Sequence, residues 1–302
     1  MLSESFLERI ISKPFEISKL NADEVTSILN KAKKILDKEH ILVEINQSDP
    51  EREILVVGDI HGNLRSLLRI LDISNELKPE YIVFLGDFVD RGPFQLECLL
   101  LVSCLKLLKP KNIILLKGNH ENLQVNKSYG FYQVLMNKFK GQIKFNEIED
   151  FYTSLPTCAT INDKILCLHG GIPKDIQALK KMRKKKIGSL EDDRDSQTLD
   201  QLIYQITWND PKNHVKGFSP NYRGPGIYYF GKDAFDKFLI YNGLNGLVRS
   251  HEYFLEGFKW YFNQRLLSIF SSFNYRGEAT PSPASIAVVK SNELHVKTFF
   301  GR

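Results

Sequence analysis

Three apolar, β-branched runs stand close together in the first half of the chain: Ile54-Leu55-Val56-Val57, Tyr81-Ile82-Val83-Phe84-Leu85 and Asn112-Ile113-Ile114-Leu115-Leu116. Runs of this length and composition predict buried strands. Between them the apolar period changes. Leu64, Leu67, Leu68 and Leu71 mark one helix, and Leu96–Leu108, closed by Pro110, marks another. Strand–helix–strand–helix–strand over Ile54–Leu116 predicts parallel pairing with right-handed crossovers. Upstream, Val25, Ile28, Leu29, Ala32, Ile35 and Leu36 recur at helical spacing behind a capping-box-like Asn21 and Glu24. With Phe6–Ile11, this reads residues 1–48 as an N-terminal helical segment packed on the outside of the core. After the third run, Tyr129, Phe131 and Tyr132 read as core positions.

The second half predicts hairpins. Ala159–Leu168 turns about Asn162-Asp163, Phe258–Phe270 about Asn263-Gln264, and Ala284–Lys290 pairs with Leu294–Phe300 across Ser291-Asn292-Glu293. All three are assigned to a second sheet facing the first. The expected fold class is α/β, with two facing mixed β-sheets (a β-sandwich) flanked by helices. No composition shift or flexible linker separates the halves, so residues 1–302 are expected to form a single domain.

Composition narrows the picture without redirecting it. A chain of 302 residues with 42% hydrophobic and 25% charged content is ordinary for a globular protein. The net charge of +5 argues weakly for an anionic substrate and hardly for nucleic acid. Cys98, Cys104, Cys158 and Cys167 form no C-x-x-C pair and lie in apolar runs, which predicts buried free thiols in a reducing cytoplasm and excludes a zinc ribbon. There is no basic-then-apolar N-terminal signal pattern and no run of membrane-spanning length. The expected location is therefore cytoplasmic, and the sequons at Asn46 and Asn126 read as chance. Lys180-Lys181-Met182-Arg183-Lys184-Lys185-Lys186, followed by Glu191-Asp192-Asp193, reads as a solvated face and loop.

Chemistry enters at the ends of the three strands. They lead into Gly58-Asp59-Ile60-His61-Gly62-Asn63, Gly86-Asp87-Phe88-Val89-Asp90-Arg91-Gly92 and Gly118-Asn119-His120-Glu121. Open α/β sheets place their sites at such strand ends. Oxygen and imidazole donors without thiolates suit Mn, Fe, Zn or Mg. Asp59 and His61, two residues apart, would face one way in extended chain, whereas the adjacent Asn119 and His120 would face apart. One of the latter can then hold metal while the other meets substrate.

These blocks resemble the signature of the metallo-phosphoprotein phosphatases, the serine/threonine phosphatase family that includes types 1 and 2A and calcineurin. Later segments follow the same order: Leu168-His169-Gly170-Gly171, Trp208-Asn209-Asp210-Pro211, Tyr222-Arg223-Gly224, Arg249-Ser250-His251-Glu252 and Phe273-Asn274-Tyr275-Arg276-Gly277-Glu278. The resemblance runs from about Leu20 to the last strands. It implies a calcineurin-like metallophosphoesterase architecture and hydrolysis of phosphoserine and phosphothreonine in proteins, by a metal-activated hydroxide attacking in line. It also implies two divalent ions, with Mn supporting activity and Fe, Zn or Mg as alternatives. Asp59, His61 and Asp87 would hold the first ion, with Asp87 bridging; Asn119, His169 and His251 would complete the second. His120 would be the general acid, oriented by Asp90. Arg91 and Arg223 would clamp the phosphate, with Asn119 also beside substrate and Tyr275 bordering the site. Asp210 would support the second-metal histidines or line the groove, and Trp208 would pack. The implied partners are phosphorylated proteins, neither nucleic acid nor membrane, with a regulatory subunit left open.

Three positions depart from the family's animal and fungal members. Lys117 replaces an arginine, Arg276 a cysteine, and Ala279-Thr280-Pro281-Ser282 the usual acidic residues. This makes the family's preference for basic substrates doubtful here. The end at Arg302, without a regulatory tail, argues against the family's known regulatory-subunit schemes, and the compact form suggests a microbial or archaeal member. Two other readings compete. A dinucleoside tetraphosphate or other small phosphoester hydrolase shares the first two blocks, but Glu121, Asp90, Arg223 and Tyr275 favour phosphoprotein. A non-catalytic phosphopeptide-binding scaffold would be expected to lose ligands, and every inferred ligand is present.

Overall fold

Ile54–Val57 is buried along its whole length on both faces, as only an interior strand is. In the computed structural model, which describes residues 2–187, 196–277 and 279–301, the strands follow in chain order. They are β1 (Leu42–Ile45), β2 (Ile54–Val57), β3 (Tyr81–Phe84), β4 (Ile113–Leu115), β5 (Cys158–Ile161), β6 (Ile165–Leu168) and β7 (Asp210–Pro211). Then come β8 (Phe218–Pro220), β9 (Tyr228–Phe230), β10 (Gly246–Arg249), β11 (Phe258–Tyr261), β12 (Leu266–Ile269), β13 (Ala284–Lys290) and β14 (Glu293–Phe299).

The fold is α/β, two facing mixed sheets between layers of helices. The first sheet runs β14-β13-β2-β3-β4 and the second β1-β5-β6-β10-β12-β11, with a small sheet β7-β9-β8 beside them. Strands β2, β3 and β4 are parallel, in the register Val57↔Phe84 and Phe84↔Leu115. Side chains alternate across each strand. Val56, Val83 and Ile114 therefore meet Ala159, Cys167, Val248 and Leu267 between the sheets. Leu55, Val57, Phe84 and Leu115 face outward onto the helices Leu64–Leu77, Gln95–Leu108 and Ala22–Leu36. On the far side, Leu166, Leu168, Leu247 and Leu266 are covered by the helices Ala178–Arg183, Ser196–Trp208 and Lys232–Asn242. The Asn21–Glu24 capping box forms at the start of Ala22–Leu36, and this helix packs on Gln95–Leu108.

Two assignments change. The hairpin β13–β14 belongs to the first sheet, because β13 pairs antiparallel with β2 through Ile286↔Val57 and Val289↔Ile54. Residues 1–48 are also not wholly helical: β1 pairs in parallel with β5 and begins the second sheet. All four cysteines are buried and free. Lys180, Lys181, Arg183 and Lys184 are exposed while Met182 is buried, a solvated helix face. Glu191-Asp192-Asp193 and Glu278 lie outside the described residues. Among the described residues, no helix is long and apolar enough to cross a membrane.

This topology sends five strand ends to one edge of the sandwich. β2, β3 and β4 deliver the three sequence blocks there, and the parallel β6 and β10 deliver His169 and His251.

Candidate metal centre

The turns after the strands are sharp and unusual. His61, Asp87, Asp90, Arg91 and His251 all have positive φ, between 47° and 74°. Such conformations cost roughly 1–3 kcal/mol each for residues with side chains, and concentrate where the surrounding structure imposes them. Here Glu121 does much of the imposing. Its buried carboxylate accepts from the backbone N–H groups of Asp87 (2.7 Å), Phe88 (2.9 Å) and Gly118 (2.8 Å). The second and third blocks are thereby locked together. A Cβ on Gly118 would lie 2.2 Å from Asp87 Oδ1, so only glycine allows this approach. The expectation that Asp59 and His61 share a face as extended chain fails, since His61 lies beyond β2 in a left-handed turn. They converge because the Asp87 carbonyl accepts from both Ile60 N–H (3.1 Å) and His61 N–H (2.9 Å).

Asp87 Oδ2 sits between two groups of donors. On one side His61 Nε2 lies 3.5 Å from it and 3.6 Å from Asp59 Oδ2. On the other, His169 Nε2 lies 3.4 Å from it, 2.8 Å from Asn119 Oδ1 and 3.1 Å from His251 Nδ1. Asp59 Oδ1 accepts from the His251 N–H at 3.0 Å and ties the halves together. The six residues read as ligands in the sequence are thus brought to one place, all at most 9% exposed.

The electrostatics fit divalent cations. Burial, and then neighbouring positive groups, holds His61, His169 and His251 well below the usual histidine range, so all three are neutral. His61 Nδ1 bonds the Val89 carbonyl at 2.9 Å and His169 Nδ1 the Leu85 carbonyl at 3.0 Å. Each Nδ1 therefore carries the proton, and each Nε2 presents a lone pair. Burial, followed by the charge of Asp59, pushes the Asp87 carboxyl well above its usual range, so its charged form needs a cation beside it. His251 Nε2 is buried without a hydrogen-bond partner. Oxygens and neutral imidazoles, without a thiolate, suit hard or borderline divalent ions.

Beside this centre stands a histidine–aspartate pair. His120 Nδ1 is 2.7 Å from Asp90 Oδ2, and its Nε2 points toward Asp87 Oδ2 at 4.0 Å. Distance alone also groups His120 with His61 and Asp87 as potential metal donors. Its bond to Asp90 separates it from His61 and His169, whose rings are oriented by backbone carbonyls. Asn119 and His120 do turn to different partners. Arg91 is exposed, with its guanidinium 4.0 Å from the Tyr129 ring centre. Arg223 is held through Nε by Asp210 Oδ2 at 2.7 Å. Tyr275 stacks on His61 with ring centres 5.5 Å apart, and burial pushes its phenol up to about 12, leaving it protonated at neutral pH. Asp210 Oδ1 is 4.0 Å from His251 Nε2, and the Trp208 ring meets His251 edge-on at 5.6 Å.

Several contributors escaped the sequence reading. Tyr129, assigned to the core, is 41% exposed and lies against His120 with ring centres 5.0 Å apart. Asn126, dismissed as a chance sequon, is fully buried and donates to Asp90 Oδ2 and to the His120 carbonyl, both at 2.8 Å. The Tyr152 hydroxyl donates to Asn126 Oδ1 at 3.0 Å. Arg249, also fully buried, bonds Gly170 O (2.5 Å), Glu252 (2.7 Å) and Asp210 (2.9 Å), joining three of the segments behind the second donor group. The motif Arg249-Ser250-His251-Glu252 contained that signal, since a charged residue closing an apolar strand needs a partner.

This geometry offers buried oxygen and imidazole donors for divalent metal, and the calcineurin-like phosphoesterase family model matches residues 52–253. The chain belongs to that family. A protein serine/threonine phosphatase from Saccharomyces cerevisiae, with similarity to human phosphatase PP5, superposes with a TM-score of 0.84 at 30% identity, over 100% of this chain and 97% of that one. A cold-active protein-tyrosine phosphatase of a psychrophilic Shewanella species shares the fold at a TM-score of 0.59 and 18% identity, over 88% of this chain and 84% of that one.

Proposed function

We propose that this protein hydrolyses phosphoserine and phosphothreonine esters in proteins. The observation that carries the reading is the Asp90–His120 pair set against the shared carboxylate Asp87. Alkyl esters of phosphate leave as poor alkoxides and need a proton as the P–O bond breaks. The 30% identical serine/threonine phosphatase, matched over the whole chain, supports the same substrate class.

Asp59, His61 and Asp87 would hold one divalent ion, and Asp87, Asn119, His169 and His251 the other. Two such ions neutralise phosphoryl charge and lower the pKa of water to roughly 7. Manganese is the ion we expect to support activity, as the family resemblance implies; the oxygen and imidazole donors suit iron, zinc or magnesium as well. Arg223 is anchored by one nitrogen on Asp210, which leaves its terminal nitrogens to grip phosphate oxygens; Arg91 does so from the His120 side. His120 Nε2 delivers the proton to the departing serine or threonine oxygen. Asp90 keeps that imidazole turned, and is itself fixed by Asn126 and by the Phe131 N–H on Oδ1 at 2.9 Å.

Metal-stripped protein, reconstituted with each divalent ion in turn, tests the reading on a phosphothreonine peptide and a dinucleoside tetraphosphate. Higher kcat/KM on the peptide is expected. A preference for the dinucleotide would replace this reading with small-phosphoester hydrolysis, and binding of peptide without turnover would replace it with a scaffold.

A further inference from the structure

A single row of rings crosses the site. Arg91 covers Tyr129 at 4.0 Å; ring centres then follow from Tyr129 to His120 at 5.0 Å, His120 to His61 at 4.7 Å and His61 to Tyr275 at 5.5 Å. Tyr253 comes next, 5.5 Å from Tyr275, and the Arg276 guanidinium lies 4.9 Å over its face. The imidazoles around the metal centre occupy the middle of the row, and an exposed arginine closes each end. Arg91 is one ring from the acid and belongs to the phosphate. Arg276 is two rings beyond His61, at the other end of the row from Arg91.

Among the described residues no carboxylate claims Arg276, and its surroundings hold it in place for an anion. Tyr253 beneath it is fixed edge-on against Phe270 at 5.4 Å as well as by Tyr275. Asn274 N–H bonds Ser282 O at 3.0 Å, and Ser282 N–H bonds Asn274 Oδ1 at 3.1 Å, closing the loop that carries it. A planar guanidinium resting on an aromatic face keeps its N–H edges for a carboxylate and loses little freedom on binding one. The carboxylates Asp59, Asp87, Asp90 and Asp210 do not compete, being at most 1% exposed. Beside Asn119 the charge is mixed, because a cavity of about 360 Å³ there is lined by both Lys117 and Asp200.

We propose that Arg276 is a second anion-recognition point, which selects phosphopeptides carrying an acidic side chain close to the phosphorylated residue. The proposal rests on the phosphoprotein reading and adds the substrate's charge pattern to it. In extended peptide each residue advances about 3.3 Å, so the matching carboxylate lies a few residues from the phosphate, on the Tyr275 side.

The test uses phosphothreonine peptides with Asp, Ala or Lys at each flanking position, assayed on the metal-loaded wild type and on Arg276→Ala, Arg276→Lys and Arg276→Glu. At one position the wild type should prefer Asp over Lys by about tenfold, with the preference shrinking as salt rises. Arg276→Ala should flatten the preference, Arg276→Glu reverse it and Arg276→Lys keep part of it, while p-nitrophenyl phosphate turnover stays unchanged in all three. Efficient turnover with a flat wild-type profile, or an acidic preference that survives Arg276→Ala, would overturn the role of Arg276 and leave the phosphoprotein reading standing. No turnover of any phosphopeptide, with dinucleoside tetraphosphate consumed, would overturn both.

Discussion

Asp90 carries a carboxylate whose two oxygens are fully engaged by His120, Asn126 and the Phe131 N–H. Asn126 therefore acts on the reaction only through the acid. Asn126→Ala should cost about tenfold on phosphothreonine peptide, and His120→Asn the larger factor of about 10²–10⁴ that general acid catalysis supplies. Both should cost markedly less on p-nitrophenyl phosphate, whose leaving group needs no proton, and both should retain their metals. In the His120→Asn background, Asn126→Ala should add no further substrate-selective loss. Equal losses on the two substrates at full metal occupancy would mean that His120 acts on the phosphoryl group and not on the leaving oxygen. The residues read as ligands and acid were legible because they sit in short blocks in a recognisable order, most with a glycine beside them and His251 in a block without one. Asn126 was not, since its partners Asp90 and Tyr152 lie 36 and 26 residues away, and a side chain's hydrogen-bond partners leave no local pattern.

At the scale of elements, the strand ends do the positioning. The β-branched runs announced β2, β3 and β4, and the Asn-Asp and Asn-Gln turns announced two hairpins. The sheet that receives β13–β14 was not announced, because any buried edge of similar apolar character could pair with Ala284–Lys290 until the whole chain is assembled. The loops beyond the strands were legible as glycine-containing turns, but not as left-handed turns at His61, Asp87 and Asp90. Gly118 holds two of these loops in contact. Gly118→Ala would drive a methyl group to 2.5 Å from Asp87 N and 2.2 Å from Asp87 Oδ1, so the Asp87 carboxylate must move. Unlike Asn126→Ala, this change should reduce turnover of peptide and p-nitrophenyl phosphate together, with loss of bound metal. Retained metal and a loss confined to the peptide would show that the loops reposition without disturbing the centre.

For the whole molecule, the sandwich is what makes a second donor group reachable at all. Asn119 arrives from the first sheet, and His169 and His251 from β6 and β10 of the second, so the centre spans the two sheets. Bound ions should brace that junction. At a free ion concentration about 1,000-fold above Kd, one site adds about 4 kcal/mol to stability, and stripping metal with a chelator should lower Tm visibly and reversibly. An unchanged Tm after verified metal removal would mean that the junction is held without metal, by bonds such as those from the His251 N–H to Asp59 Oδ1 and from His169 Nδ1 to the Leu85 carbonyl. The central claim is that one carboxylate, Asp87, serves both ions, and elemental analysis of reconstituted wild type and Asp87→Asn tests it most directly. The account expects two ions per wild-type chain and the loss of both in the variant, whose amide brings no charge between two dications. Two ions still bound to Asp87→Asn, or a wild type that saturates at one, would contradict it.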